Sequence, residues 1–110
     1  MIEKFVAYVE AYAAKDLQTV SAMFADDIFL RDWKISVSGK RAAIAETSKN
    51  FESADSIDIA VLHCYQAENA VAGELRIVVD DTEVLYVVDV VTFGPDGKIQ
   101  SIRAYLGRED

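Results

Sequence analysis

The chain has 110 residues, of which 52% are hydrophobic and 27% charged, and its formal net charge at pH 7 is −8. This size and composition predict one folded domain over residues 1–110. The negative charge argues against nucleic acid and strongly anionic substrates as partners, because phosphate binding needs clustered Lys and Arg. No apolar run reaches the ~18 residues of a membrane span, and the charged N-terminus lacks a secretory apolar core, so a cytoplasmic location is expected.

Metal and disulfide chemistry find little support in the sequence. The single cysteine, Cys64, leaves no intrachain disulfide and too few sulfur ligands for structural zinc, so we expect it to be a small buried hydrophobe. The adjacent acids Asp26 and Asp27 make a weak ligand set without nearby His or Glu. We therefore predict no metal site, and a neutral or weakly polar small molecule is the partner most compatible with this composition.

The N-terminal third reads as a helical hairpin. Its first helix is indicated by helical spacing of Ile2, Phe5, Val6, Val9 and Ala13, with Tyr8 and Tyr12 along one edge of that stripe. Asp16 is suited to cap a second helix, which would stop at the Asp26-Asp27 pair. The apolar residues predicted to point inward from that second helix are Leu17, Val20 and Phe24.

From Ile28 the period changes to two, which predicts a strand with Ile28, Leu30 and Asp32 on one face. A short strand over Ile35–Ser38 ends at Gly39, and Lys40–Ala54 then predicts a third helix. The rest of the chain reads as an antiparallel meander. Its predicted strands cover Ile57–Gln66, Val71–Val79, Val84–Phe93 and Lys98–Leu106. Helices followed by such a sheet indicate an α+β architecture.

The strand over Val84–Phe93 is apolar on both faces. One face carries Leu85, Val87, Asp89, Val91 and Phe93, and the other carries Val84, Tyr86, Val88 and Val90. A sheet with one solvated face would not show this pattern. Since the helices can cover only one face, we predict that a second copy of the chain covers the other, giving a homodimer packed sheet to sheet.

Asp89 interrupts an apolar row, and burying an unpaired charge is costly. The carboxyl is therefore exposed by a local irregularity, paired with Arg76 or Arg103 on a neighbouring strand, or kept protonated in a pocket. Asp32 similarly continues an apolar row. It is either a functional carboxylate or a carboxylate at the end of the strand that faces water.

Three runs carry a resemblance to a known family: KDLQTVSAMFADDIFLRDW, GKRAAI and VVDVVTFGPDGKIQSIRAYLG. Together they resemble the nuclear transport factor 2-like superfamily, in its SnoaL-like and ketosteroid isomerase branch. The resemblance implies a cone-shaped half-barrel, in which a curved, mostly antiparallel sheet wraps three N-terminal helices and encloses an apolar pocket.

The resemblance also implies catalytic roles. Ketosteroid isomerases use an aspartate base and an oxyanion hole made of a tyrosine and a protonated aspartic acid. Matched by motif, the tyrosine corresponds to Tyr8, the base to Asp32 and the protonated acid to Asp89. The chain departs from that pattern at Trp33, where the isomerases have proline. It also departs in the third helix, where Thr47 and Ser48 stand near the position of a supporting tyrosine.

Further candidates line either a pocket or the core, and the sequence does not separate the two. These ligand-binding candidates are Trp33, Phe24, Phe51, Phe93 and His63. His63, the only histidine, is either a hydrogen-bonded core residue or an alternative base.

Two functions follow from this reading. In the first, the chain is a cofactor-independent enzyme that abstracts a proton beside the carbonyl of a small apolar compound, as an isomerase or a SnoaL-like cyclase. In the second, the same fold is a ligand-binding or dimerisation module without catalysis.

Overall fold

The computed structural model describes residues 1–108 as three helices and one six-stranded sheet. The helices are α1 (Ile2–Ala13), α2 (Leu17–Met23) and α3 (Lys40–Ser53). The strands are β1 (Phe24–Arg31), β2 (Ser36–Ser38), β3 (Ile57–Ala67), β4 (Ala70–Val79), β5 (Glu83–Phe93) and β6 (Ile99–Leu106). The α+β prediction is confirmed, and most boundaries lie within a residue or two of those predicted.

The sheet is open, with strand order β2-β1-β6-β5-β4-β3, so the consecutive strands β3 to β6 form the predicted meander. β1 pairs with β6 in parallel, and the other neighbouring strands pair antiparallel. The helices pack on one face of this sheet, and α1 lies against β3. Phe5 of α1, which is fully buried, sits directly over Gly73 of β4, where any side chain would collide with its ring.

One boundary prediction is wrong. Phe24 does not end α2 as an inward helical residue; its backbone is extended (φ −79°, ψ 135°), and it starts β1 opposite Ile99. Asp26 and Asp27 accordingly lie exposed within the strand, where the register with β6 shifts. Between Phe24 and Phe29, β1 contains more residues than the part of β6 that it faces, so the regular pairing is interrupted there. Gln100 donates a hydrogen bond of 2.6 Å to the Asp27 carboxylate.

A second correction concerns β3. Strict alternation over the predicted strand would place His63 and Tyr65 on one face with Val61, but in the structure they do not share that face. The pairing with β4 shifts between Val61 and His63, so Leu62 is an extra residue that reverses the alternation beyond it. His63 and Tyr65 are therefore exposed, whereas Cys64 is half-buried against the core, with its thiol pKa raised by burial.

No helix within residues 1–108 has the length and hydrophobicity needed to cross a membrane. The cytoplasmic location stays a prediction.

Candidate functional site

A cavity of about 230 Å³ opens between the helices and the inner face of the sheet. Its wall is mostly apolar, with contributions from α1, α3, the segment after β1 and every strand from β3 to β6. Polar side chains enter it at a few points, and these include the three residues for which the family resemblance implies catalytic roles. Tyr8, Asp32 and Asp89 all line this one cavity.

Asp89 reaches the cavity from the inner face of β5, between the buried residues Val87 and Val91. Burial in these apolar surroundings, together with the negative charge of Asp32, raises the pKa of Asp89 from an ordinary 3.8 to about 7. At neutral pH, Asp89 is therefore protonated in a substantial fraction of the molecules.

The ion-pair alternative for Asp89 does not apply in this structure. Arg76 lies opposite Tyr86 and Arg103 opposite Val90, and these β5 residues alternate with Asp89 along the strand. Both arginines therefore project from the outer face, where the Arg103 guanidinium stacks over a phenylalanine ring at 5.4 Å. The ion pairs of residues 1–108 do not include Asp89.

Asp32 follows β1 and is fixed by the turn that it begins. Its Oδ1 atom accepts hydrogen bonds from the backbone N–H of Lys34 (2.7 Å) and of Ile35 (2.9 Å), and its own N–H donates to the Ile35 carbonyl. Its Oδ2 atom accepts no hydrogen bond from residues 1–108. One oxygen thus anchors the carboxylate while the other remains available to a ligand.

Tyr8 projects from α1 with only 5% of its surface exposed. No residue between 1 and 108 makes a hydrogen bond with its hydroxyl, yet no fully buried side-chain oxygen in that range lacks a partner. The hydroxyl must therefore reach the cavity surface. Burial, followed by the charge of Asp89, raises the pKa of Tyr8 well above its ordinary value, so the phenol remains a donor at neutral pH.

Trp33 also lines the cavity, but 42% of its surface is exposed. The indole therefore stands at the mouth and leaves the interior open. Thr47 lines the cavity from α3, but its hydroxyl donates to the Ala43 carbonyl one turn back (2.8 Å). α3 accordingly supplies Tyr8 with no partner comparable to the isomerase tyrosine.

The other ligand-binding candidates do not line this cavity. Phe24 and Phe51 are core residues, and Phe51 packs edge-on against Tyr12 at 4.8 Å. Phe93 is buried at a separate cleft that Lys4 of α1 also lines, and His63 is placed on the outer face by the bulge at Leu62. Their apolar or aromatic character was insufficient to distinguish core from cavity.

Tyr12 and Asn50 are among the polar lining residues that were not assigned to the site from the sequence. Tyr12 lies one turn after Tyr8, and Asn50 of α3 donates a hydrogen bond of 3.0 Å to its hydroxyl oxygen. The four-residue spacing of the tyrosines is a signal that both face one side of α1. The contribution of Asn50 depends on packing between segments 38 residues apart. Within residues 1–108, no three His, Cys, Asp or Glu side chains cluster as a metal site requires.

An open sheet and three helices that enclose a mostly apolar cavity, with carboxyl and phenol groups on its wall, form the nuclear transport factor 2-like architecture. The chain belongs to the SnoaL-like domain family, whose match covers residues 5–102. The predicted family is thereby confirmed. No curated protein sequence matches the chain.

Solved structures show the same fold at low identity. An NTF2-like protein from Cytophaga hutchinsonii superposes with a TM-score of 0.79 at 11% identity, covering 94% of this chain and 86% of its own. A protein from Kribbella flavida gives 0.82 at 18% identity, covering 96% and 85%. SalBIII, an epoxide hydrolase/cyclase-like enzyme in pyran ring formation in the polyether salinomycin, gives 0.81 at 24% identity, covering 96% and 88%.

Proposed function

We propose that this chain is a cofactor-independent isomerase or cyclase that abstracts a proton from the carbon beside a carbonyl in a small, mostly apolar compound. The observation that carries the proposal is a pair of carboxyl groups in unlike environments that line one cavity. Asp89 has apolar surroundings and a pKa near 7, whereas Asp32 is held by two backbone N–H donors. Environments that separate two carboxyl groups in this way are how acid and base roles are divided in enzymes.

In the proposed reaction, the free oxygen of Asp32 takes the α-proton. The electron pair of the broken C–H bond forms a C=C bond, and the carbonyl π-electrons move to oxygen. Tyr8 and protonated Asp89 donate hydrogen bonds to the resulting enolate oxygen. An isomerase then returns the proton from Asp32 to another carbon of the conjugated system. In a cyclase the enolate carbon instead attacks a second carbonyl carbon of the same molecule; the π-electrons of that carbonyl move to its oxygen, which takes the proton from Asp32.

The cavity size narrows the substrate class. Its 230 Å³ falls below the ~300–1,000 Å³ of typical ligand pockets. We infer a substrate with one or two rings, because a four-ring steroid would protrude past Trp33. The cyclase alternative has added support from the likeness to SalBIII, a cyclase-like enzyme in pyran ring formation.

Binding of 2-naphthol, a two-ring fluorescent phenol that resembles an enol, tests the oxyanion hole. We expect Tyr8→Phe and Asp89→Ala each to weaken binding about 2- to 10-fold, since a hydrogen bond between neutral groups is worth about 0.5–1.5 kcal/mol net. Tyr105→Phe is the matched control, because Tyr105 is 55% exposed and lies opposite Val88 on the outer face. Equal affinity in all four proteins would refute the oxyanion hole.

Proton abstraction is tested separately by hydrogen–deuterium exchange at the α-carbons of 2-tetralone, followed by NMR in D₂O. We expect exchange above the uncatalysed rate, and a loss of about 10²- to 10⁴-fold in Asp32→Asn, the range of general-base contributions. The amide oxygen of the variant can still accept the two backbone hydrogen bonds, so the turn is preserved. Tight 2-naphthol binding without exchange would favour the ligand-binding alternative.

We further propose that the partner of the outer sheet face is a second copy of the chain. This face presents Val88 beside Tyr105, and Glu74 and Arg103 flank them with opposite charges that two copies can pair. Sedimentation analysis should find a dimer that Val88→Lys dissociates, whereas Ala45→Lys on the exposed side of α3 should leave it intact. A monomeric wild-type protein would overturn this proposal.

A further inference from the structure

The proposed reaction uses one phenol of α1, but the cavity contains a second. Tyr12 lies four residues after Tyr8, and the centroids of the two rings are 6.0 Å apart. The edge-on contact with Phe51 holds the Tyr12 ring in place. The two hydroxyl groups therefore belong to one helix face and line one cavity.

The hydrogen bonding of Tyr12 determines which role its hydroxyl has left to play. Asn50 donates its Nδ2–H to the Tyr12 oxygen, which is thus already an acceptor. A phenol has one proton of its own to donate. No oxygen or nitrogen within residues 1–108 accepts that proton, so it is available to a molecule in the cavity.

The surroundings keep Tyr12 in its donor form. Burial raises its pKa; the hydrogen bond from Asn50 lowers it in part, and the charges of Asp89 and Asp32 raise it further. The influence of both carboxyl groups is consistent with a position of the hydroxyl near the same interior as the proposed reaction.

We propose that Tyr12, oriented by Asn50, is a specificity-determining residue that donates a hydrogen bond to a second oxygen of the substrate. That oxygen is a carbonyl, ether or ester oxygen located away from the reacting carbonyl. The substrate class is accordingly a one- or two-ring ketone that carries a further oxygen acceptor. This inference rests on the proposed function, since it assumes that Tyr8 and Asp89 hold the reacting oxygen.

The test compares two probes of similar shape. A methoxy-2-naphthol has an ether oxygen that can only accept a hydrogen bond, whereas the corresponding ethyl-2-naphthol has a methylene group in its place. Substituents at the 5-, 6- and 7-positions sample different separations between the two oxygens. We expect at least one methoxy isomer to bind about 2- to 10-fold more tightly than its ethyl counterpart, the range for one net hydrogen bond.

In Tyr12→Phe this preference should disappear, so that each methoxy probe binds no more tightly than its ethyl counterpart. Asn50→Ala should reduce the ratio of the two affinities, whereas a merely structural role of Asn50 would change both affinities by the same factor. Tyr105→Phe should retain the preference. The inference is overturned if no methoxy isomer is preferred by the wild-type protein, or if the preference survives in Tyr12→Phe.

The two proposals fail in different ways. If 2-naphthol binds and depends on Tyr8 and Asp89 but no methoxy preference is found, only the role of Tyr12 is refuted. If 2-naphthol does not bind, or binds without that dependence, the oxyanion hole itself is refuted and the Tyr12 inference falls with it.

Discussion

Replacing Asp89 with Asn should stabilise the protein at neutral and alkaline pH. The native carboxyl has a pKa of about 7, against 3.8 for the ordinary group, so the folded chain keeps a proton that the unfolded chain releases. Stability falls with pH wherever the native state binds more protons. Below about pH 4 both states are protonated and nothing is lost; between about pH 4 and 7 the free energy of unfolding declines, and above about pH 7 the loss is complete.

The magnitude follows from the size of the shift. A displacement from 3.8 to about 7 corresponds to at most about 4 kcal/mol, at roughly 1.4 kcal/mol for each pH unit. This figure is an upper bound, because any solvation of the ionised carboxylate lowers the cost of its charge. Asn has nearly the same shape but does not titrate, so its advantage over wild type should grow from pH 4 and level off near pH 8.

Urea unfolding of both proteins at several pH values measures this difference directly. Asp58→Asn, at an exposed position of β3, is the matched control for a carboxyl-to-amide change outside the cavity. A constant difference between Asp89→Asn and wild type over the same range would refute the elevated pKa. It would also remove the basis for a protonated acid in the proposed mechanism.

Three further outcomes are expected. Asp32→Asn should lower the pKa of Asp89, because the charge of Asp32 is one cause of its elevation; the fall in stability should then occur at lower pH. Gly73→Ala should cost about 1–3 kcal/mol of stability in urea unfolding, since a Cβ there would collide with the buried Phe5 ring; a cost under ~0.5 kcal/mol would show that the ring moves freely. In a fluorescence titration, wild-type protein should bind the four-ring phenol equilenin more weakly than 2-naphthol. Trp33→Ala should reduce this difference in affinity, because Trp33 lines the mouth of the cavity. If the ratio of the two affinities is the same in both proteins, the size argument is wrong.

Periodicity was sufficient for most of the fold because each long element presents one continuous apolar face. The alternation over β5 correctly indicated that Asp89 shares a face with Val87 and Val91. The prediction of strand faces from alternation failed where the backbone departs from regular pairing. The extra residue Leu62 reverses the faces of β3 and exposes His63, and such a bulge leaves no mark in the pattern of hydrophobic residues.

The composition of the cavity was harder to predict than the fold, for a physical reason. A core phenylalanine and a pocket phenylalanine are equally apolar, so Phe51 could not be told from a lining residue by type. Polar groups that lie in apolar rows were better guides, because their burial requires an explanation. Tyr12 was missed because a tyrosine at the edge of a stripe has a structural role as readily as a chemical one, and its partner Asn50 is supplied by another helix.

Asp32 and Asp89 differ in hydrogen bonding and in surroundings because they lie in different kinds of backbone structure. A turn offers free backbone N–H groups, and two of these bind Asp32; the interior of a strand offers none, because β5 is paired on both sides by β4 and β6. Asp89 is therefore left with apolar neighbours and with the charge of Asp32, and both favour its protonated form. The ionised base thus helps to keep the acid protonated. Proton transfer to Asp32 removes that charge, which should lower the pKa of Asp89 and weaken its hold on its own proton while the enolate oxygen accepts a hydrogen bond from it.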